Sequence, residues 1–132
     1  DRFDMDLIEK VEPSLSANRP SVLMDYPAEA AALARRKPGR PEVAERWELY
    51  IGGMELINAF SELTDPVEQR RRFEECAEER RKAGRAVYPI DEEFMRSLEK
   101  GMPACGGAAL GIDRLVMLMT DTDEIDQVRS FV

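Results

Sequence analysis

The stretch "ERWELYIGGMELINAFSEL", residues 45 to 63, constrains the fold more than any other part of this chain. Two runs rich in aromatic and branched residues flank Gly52-Gly53. A glycine pair supplies positive φ at both central positions of a two-residue turn, whose twist matches that of the flanking strands. The stretch therefore predicts an antiparallel hairpin. Regular pairing across the turn sets residue 50 opposite 55 and residue 48 opposite 57. Glu48 and Glu55 then share one face as diagonal neighbours, roughly 7 Å apart. Asn58, Phe60 and Glu62 recur at every second position and share a face of their own. Strict alternation puts that trio on the face opposite Glu55. Only a bulge between Glu55 and Asn58 unites the two sets.

The remaining elements follow from periodicity and punctuation. Residues 3 to 11 carry helical spacing at Phe3, Leu7, Ile8 and Val11, with Pro13 as the stop. "SVLMDYP" (21 to 27) predicts a short strand. The alanine-rich 28 to 36 suits a helix, and "KPGRPEVA" after it reads as a loop. A long helix starts with Asp65 as cap, Pro66 at the first helical position and Glu68 closing a capping box, and runs to about Gly84. Its apolar stripe (Val67, Phe73, Cys76, Ala77) is thin and suits an outer position. A second helix from Asp91 buries Phe94, Met95 and Leu98 and stops at Gly101. "GGAALGIDRLVMLM" (106 to 119) is a small-residue strand, a turn and an apolar helix with Asp113 as cap. Ile125, Val128 and Phe131 form a last apolar set. Hairpins with interspersed helices give an α+β fold with a mainly antiparallel sheet.

Composition narrows the function. The 132 residues suffice for one domain with its own core, and 43% apolar content excludes a disordered tail. A net charge of -8 argues against a dedicated nucleic-acid binder. The basic runs at 34 to 40, 70 to 72 and 80 to 82 read as solvated surface. With no histidine, Ser-His-Asp and Cys-His catalysis are excluded and a zinc site is disfavoured. Cys76 and Cys105 lack C-x-x-C spacing and suit a reducing cytoplasm. No apolar run is long enough to span a membrane.

Two features carry candidate chemistry. Paired hard carboxylates such as Glu48 and Glu55 suit magnesium, which takes one or two carboxylates plus phosphate oxygens. Spacing alone favours instead two exposed strand residues paired with lysine or arginine. Arg114 stands at a helix N-terminus, where a cation is unfavourable unless an anion is there to bind. A pair with Asp113 is the alternative.

"GIDRLVML" resembles motif 3 of class II aminoacyl-tRNA synthetases. "YPAEAAALARR", the hairpin stretch and "DPVEQRRRF" resemble the lysyl branch of that class, in order, from about Tyr26 to the C-terminus. The resemblance implies that Arg114 binds the ATP γ-phosphate and that Glu48 and Glu55 hold Mg2+ beside the phosphates. It further implies that Asn58, Phe60 and Glu62 hold the lysine side chain in the pattern N-x-[FY]-x-E. "GMPACGGAALGIDR" is similar to the branch of elongation factor P (R)-β-lysine ligases, which lack an anticodon-binding domain, whereas "ALARR" is more synthetase-like. Ala109 stands where synthetases have glycine at the amino-acid pocket.

The implied function is ATP-dependent activation of lysine or (R)-β-lysine as the adenylate, with transfer to a lysine of elongation factor P. Charging of tRNA-Lys is the alternative, and an ATP- or amino-acid-binding or inactive fragment the non-enzymatic one. Motifs 1 and 2 of the class are not found. Residues 1 to 132 thus read as the C-terminal portion of a class II catalytic domain, homodimeric in the full-length protein and cytoplasmic.

Overall fold

The structure is a computed structural model that describes residues 2 to 131. The described residues divide into two compact units, one formed by residues 2 to 61 with 106 to 131, the other by 62 to 105.

The first unit is built on an antiparallel sheet. Its strands are β1 (Ser21–Pro27), β2 (Arg36–Lys37), β3 (Arg40–Ile51), β4 (Met54–Ser61) and β5 (Gly106–Leu110), in the order β1-β3-β4-β5 with β2 also on β3. The predicted hairpin is β3–β4, with Gly52 and Gly53 at φ 62° and 76°. Its register departs from the regular ladder. Tyr50 faces Glu55 and Leu49 faces Ile57, so Leu56 is an extra residue and Glu48 lies opposite Asn58 rather than residue 57. This is the bulge that a united face requires, because one inserted residue reverses the alternation beyond it.

Two local expectations give way to tertiary pairing. The alanine-rich segment forms only a 3-10 turn, Ala28–Ala30, and not a helix. Ala31 and Ala34 instead bury themselves with Ala44, and Phe60 packs against the three; burial outweighs a helix propensity of well under ~1 kcal/mol per residue. "KPGRPEVA" is not a loop either. Lys37 pairs with Arg40 around Pro38-Gly39, and β3 begins at once, with Pro41 near its start where a missing donor is tolerated. At the N-terminus, α1 (Arg2–Asp6) continues as a π-helical turn to Val11, as the spacing predicts, and then as a 3-10 turn through Ser14, past the expected stop at Pro13.

The motif of small residues folds as read: β5, then α4 (Ile112–Thr120). The N-cap is Gly111, not Asp113, and no side chain caps this end. The tail set stays outside the core, with Ile125 and Phe131 exposed.

The second unit is a helical pair, α2 (Pro66–Lys82) and α3 (Glu92–Glu99). Asp65 accepts from the Val67 and Glu68 amides, as a cap should. Glu68 directs its carboxylate to Arg72. Asp91 caps α3 in the same way, and Met95 and Leu98 are buried. Phe73 meets Phe94 at 6.1 Å between ring centres, and Arg70 grips Glu92 with two donors. Val67 and Cys76 of the thin stripe are exposed.

Candidate active site

The bulge at Leu56 sorts the polar residues of the sheet. Arg46 opposes Phe60, Glu48 opposes Asn58 and Tyr50 opposes Glu55; on the next strand Ala109 opposes Asn58 and Gly107 opposes Phe60. Cross-strand partners share a face. Glu48, Glu55, Asn58, Phe60 and Ala109 therefore lie on one face of the first unit, joined by Arg46 and Tyr50.

Glu48 is the centre of this face, at 4% exposure. Its Oε1 accepts from Arg46 Nη2 at 2.6 Å and from Asn58 Nδ2 at 2.8 Å. Its Oε2 accepts from the hydroxyls of Tyr26 at 2.5 Å and Tyr50 at 2.8 Å. A buried carboxylate is stable only when paired and hydrogen-bonded, and four donors meet that need. Burial, followed by the hydrogen bond to Glu48, pushes both phenols above their ordinary pKa and keeps them protonated donors. Arg46 also donates to the Ala30 carbonyl and stacks over the Tyr26 ring at 4.6 Å. Its Nε is buried without a hydrogen-bond partner among the described residues.

Arg114, in the first turn of α4, donates through Nη1 to the Glu55 carbonyl at 2.7 Å and approaches the Glu55 carboxylate at 3.6 Å. It thus pairs with Glu55 across the sheet end. About half of the guanidinium side chain is exposed, which leaves donors for an anion. Phe60 is half-buried, one side on the alanine cluster. Glu62 belongs to the second unit, where its amide donates to the Cys105 carbonyl at 3.0 Å.

Hard oxygen donors suit magnesium in kind. The Glu55 carboxylate is about a third exposed and open to a cation. Each Glu48 oxygen already accepts two hydrogen bonds, so a metal there has to displace a donor. Among the described residues no three Asp, Glu, Cys or His side chains gather into a metal cage. A shared site completed by phosphate and water therefore fits better than a resident structural ion.

Sequence reasoning missed Tyr26, Arg46 and Tyr50. Parity along β3 was the signal for the latter two, since both lie two positions from Glu48. Tyr26 was out of reach, because the β1–β3 register slips between Met24 and Tyr26, where Asp25 takes φ 59°. A cavity of about 450 Å³ also opens in this unit, bordered by Met24, Trp47, Ala59 and Ala108 among others. Those four side chains alternate to the reverse face. The polar network is the better candidate, because the chemistry is there.

A bulged antiparallel hairpin thus carries Glu48 and Glu55 on one face, and a small-residue strand and an arginine-bearing helix follow it in the chain. The family model described as tRNA synthetases class II (D, K and N) matches residues 2 to 132, and the chain belongs to that family. Within it, the chain is 46% identical over 120 residues to a lysine–tRNA ligase of Anaeromyxobacter sp. (strain K), covering 91% of this chain and 23% of the relative. It is 47% identical over 121 residues to that of Moorella thermoacetica, covering 92% and 24%. With that of Synechococcus sp. (strain CC9311) it shares 50% over 122 residues, covering 92% and 24%. The chain thus spans about a quarter of the length of these relatives.

Proposed function

We propose that this chain supplies the lysine- and ATP-facing part of a class II ligase. That ligase activates lysine as its adenylate, splitting ATP to AMP and pyrophosphate, and charges tRNA-Lys. The observation that carries this reading is the bulge at Leu56, which sets Glu48 and Glu55 on the face that holds Asn58 and Phe60. The names of the relatives support lysine as substrate and tRNA as acceptor.

In this reading the lysine carboxylate attacks the α-phosphate and pyrophosphate leaves. The acceptor then attacks the activated carbonyl and AMP departs. Neither step needs an enzyme nucleophile, which fits a chain without histidine. Catalysis is positioning and charge neutralisation. The exposed donors of Arg114 take the γ-phosphate. Asn58 and the free side of Phe60 hold the substrate, and Ala109 borders its backbone end. Glu55, with Glu48, would hold Mg2+, which neutralises phosphate charge. The part of Glu62, to pair the ammonium tip, rests on the spacing N-x-F-x-E alone.

A second reading keeps its own observation. Ala109 sets a methyl beside Asn58 where synthetases have glycine. One carbon in a pocket shifts preference by roughly 1–3 kcal/mol, enough to turn selection toward (R)-β-lysine and the acceptor toward elongation factor P. ATP–pyrophosphate exchange by the intact protein with each amino acid separates the two. Preference for α-lysine with tRNA charging is the expected outcome. Preference for β-lysine moves the protein to the elongation-factor ligases, and exchange with neither leaves a binding module or an inactive fragment.

A further inference from the structure

We propose that Tyr26 and Tyr50 are positioning residues of the lysine pocket, acting through Glu48 on the Asn58 amide; the proposal rests on the reading of that pocket given above. The two phenols occupy both lone pairs of Glu48 Oε2. That fixes the plane of the carboxylate and turns Oε1 toward Asn58 Nδ2 and Arg46. An amide held this way does not flip, because reversal sets its Oδ1 against a carboxylate oxygen. Asn58 therefore offers the substrate its Oδ1 and remaining N–H in a single orientation.

Each phenol is itself held. Tyr26 enters from the irregular end of β1, where Asp25 is clamped by Lys37 at 2.7 Å and Arg40 at 3.0 Å. Its ring sits under the Arg46 guanidinium and forms a T-shaped pair with Phe3. The Tyr50 hydroxyl has one proton and two acceptors in range, Glu48 at 2.8 Å and Glu12 at 3.1 Å. The nearer one takes the stronger bond.

The test is calorimetric titration of the intact protein with L-lysine alone, without nucleotide or magnesium, and separately with ATP. In the Y26F/Y50F variant the lysine Kd is expected to rise about tenfold, the scale of hydrogen bonds to a charged group. Affinity for ATP without magnesium, which does not call on Glu48 as a metal ligand, stays unchanged. Asn58→Ala adds the decisive arm: in that background, removing the phenols has no further effect on lysine, since they act through the amide. Where the double variant fails to fold, Y26F and Y50F singly are each expected to weaken lysine binding, again only with Asn58 present. Unchanged lysine affinity, equal losses for lysine and ATP, or full additivity with Asn58→Ala overturns the proposal while leaving the pocket in place. A wild-type protein that binds no lysine overturns the pocket and this inference with it.

Discussion

Arg35 and Glu45 meet at 2.5 Å on the first unit, and Asp25 draws in Lys37 and Arg40 nearby. The Arg35 guanidinium holds the Glu45 carboxyl below its ordinary 4.5, with Ser61 helping, and Lys37 holds Asp25 below 3.8. A depressed folded-state pKa favours the ionised form in the fold, so the unfolded chain binds more protons on acidification. The stability these groups add is present above about pH 4.5 and is lost as pH falls through their lower folded values. Acid titration of the intact protein by tryptophan fluorescence should show an unfolding limb below pH 4.5 that Glu45→Gln flattens. The effect is small, since both carboxylates are solvent-screened. An unaltered limb in the variant removes the pair from the account. Glu48 shows the contrasting case: a buried carboxylate carried by four donors, of which Arg46 alone is charged, so that loss of Arg46 leaves a buried charge unpaired.

At the scale of elements, caps and turns are where sequence and structure agree. Asp65 before Pro66 starts α2, and Asp65→Ala is expected to cost about 1 kcal/mol locally. Amide exchange in the intact protein should accelerate at Val67 and Glu68 while β4 keeps its protection; equal acceleration everywhere would contradict a local cap. The Gly52-Gly53 turn was legible because φ above zero is a property of the residues themselves. The segment from Ala28 to Arg36 was not, because its alanines serve burial against Ala44 and Phe60, partners distant in sequence. The Gly111 cap was hidden by a better-looking Asp113. Strand β3 was misread at its start because Pro41 is tolerated there only once β2 has supplied a turn. The candidate site residues Glu48, Glu55, Asn58, Phe60, Ala109 and Arg114 were legible as a family pattern. The gathering of the five strand residues among them on one face was legible only as a condition on the register, which no residue type announces.

For the whole molecule, the charge balance and the missing histidine set the limits that the fold then fills. No described helix is long and apolar enough to cross a membrane. The resemblance to lysine–tRNA ligases covers nearly all of this chain, yet only about a quarter of theirs. Activity, acceptor, subunit number and compartment therefore belong to the intact protein and are to be measured on it.

The extra residue at Leu56 makes the site sensitive to arithmetic as well as to chemistry. With that leucine outside the alternation, Glu55 and Asn58 share a face although they stand three positions apart. Excising it leaves an even ladder in which Tyr50 still faces Glu55 and Glu48 still faces Asn58, so the polar set keeps its face. Substituting Leu56 by another apolar residue keeps the count as it is. Both a Leu56 deletion and Leu56→Ile, assayed in the intact protein, should thus retain lysine-dependent exchange. A folded deletion variant without exchange would mean that the leucine itself, whose carbonyl accepts from the Gly111 amide, holds the site rather than the count. The register behaves like a reading frame in which one surplus letter can be dropped without changing the sense.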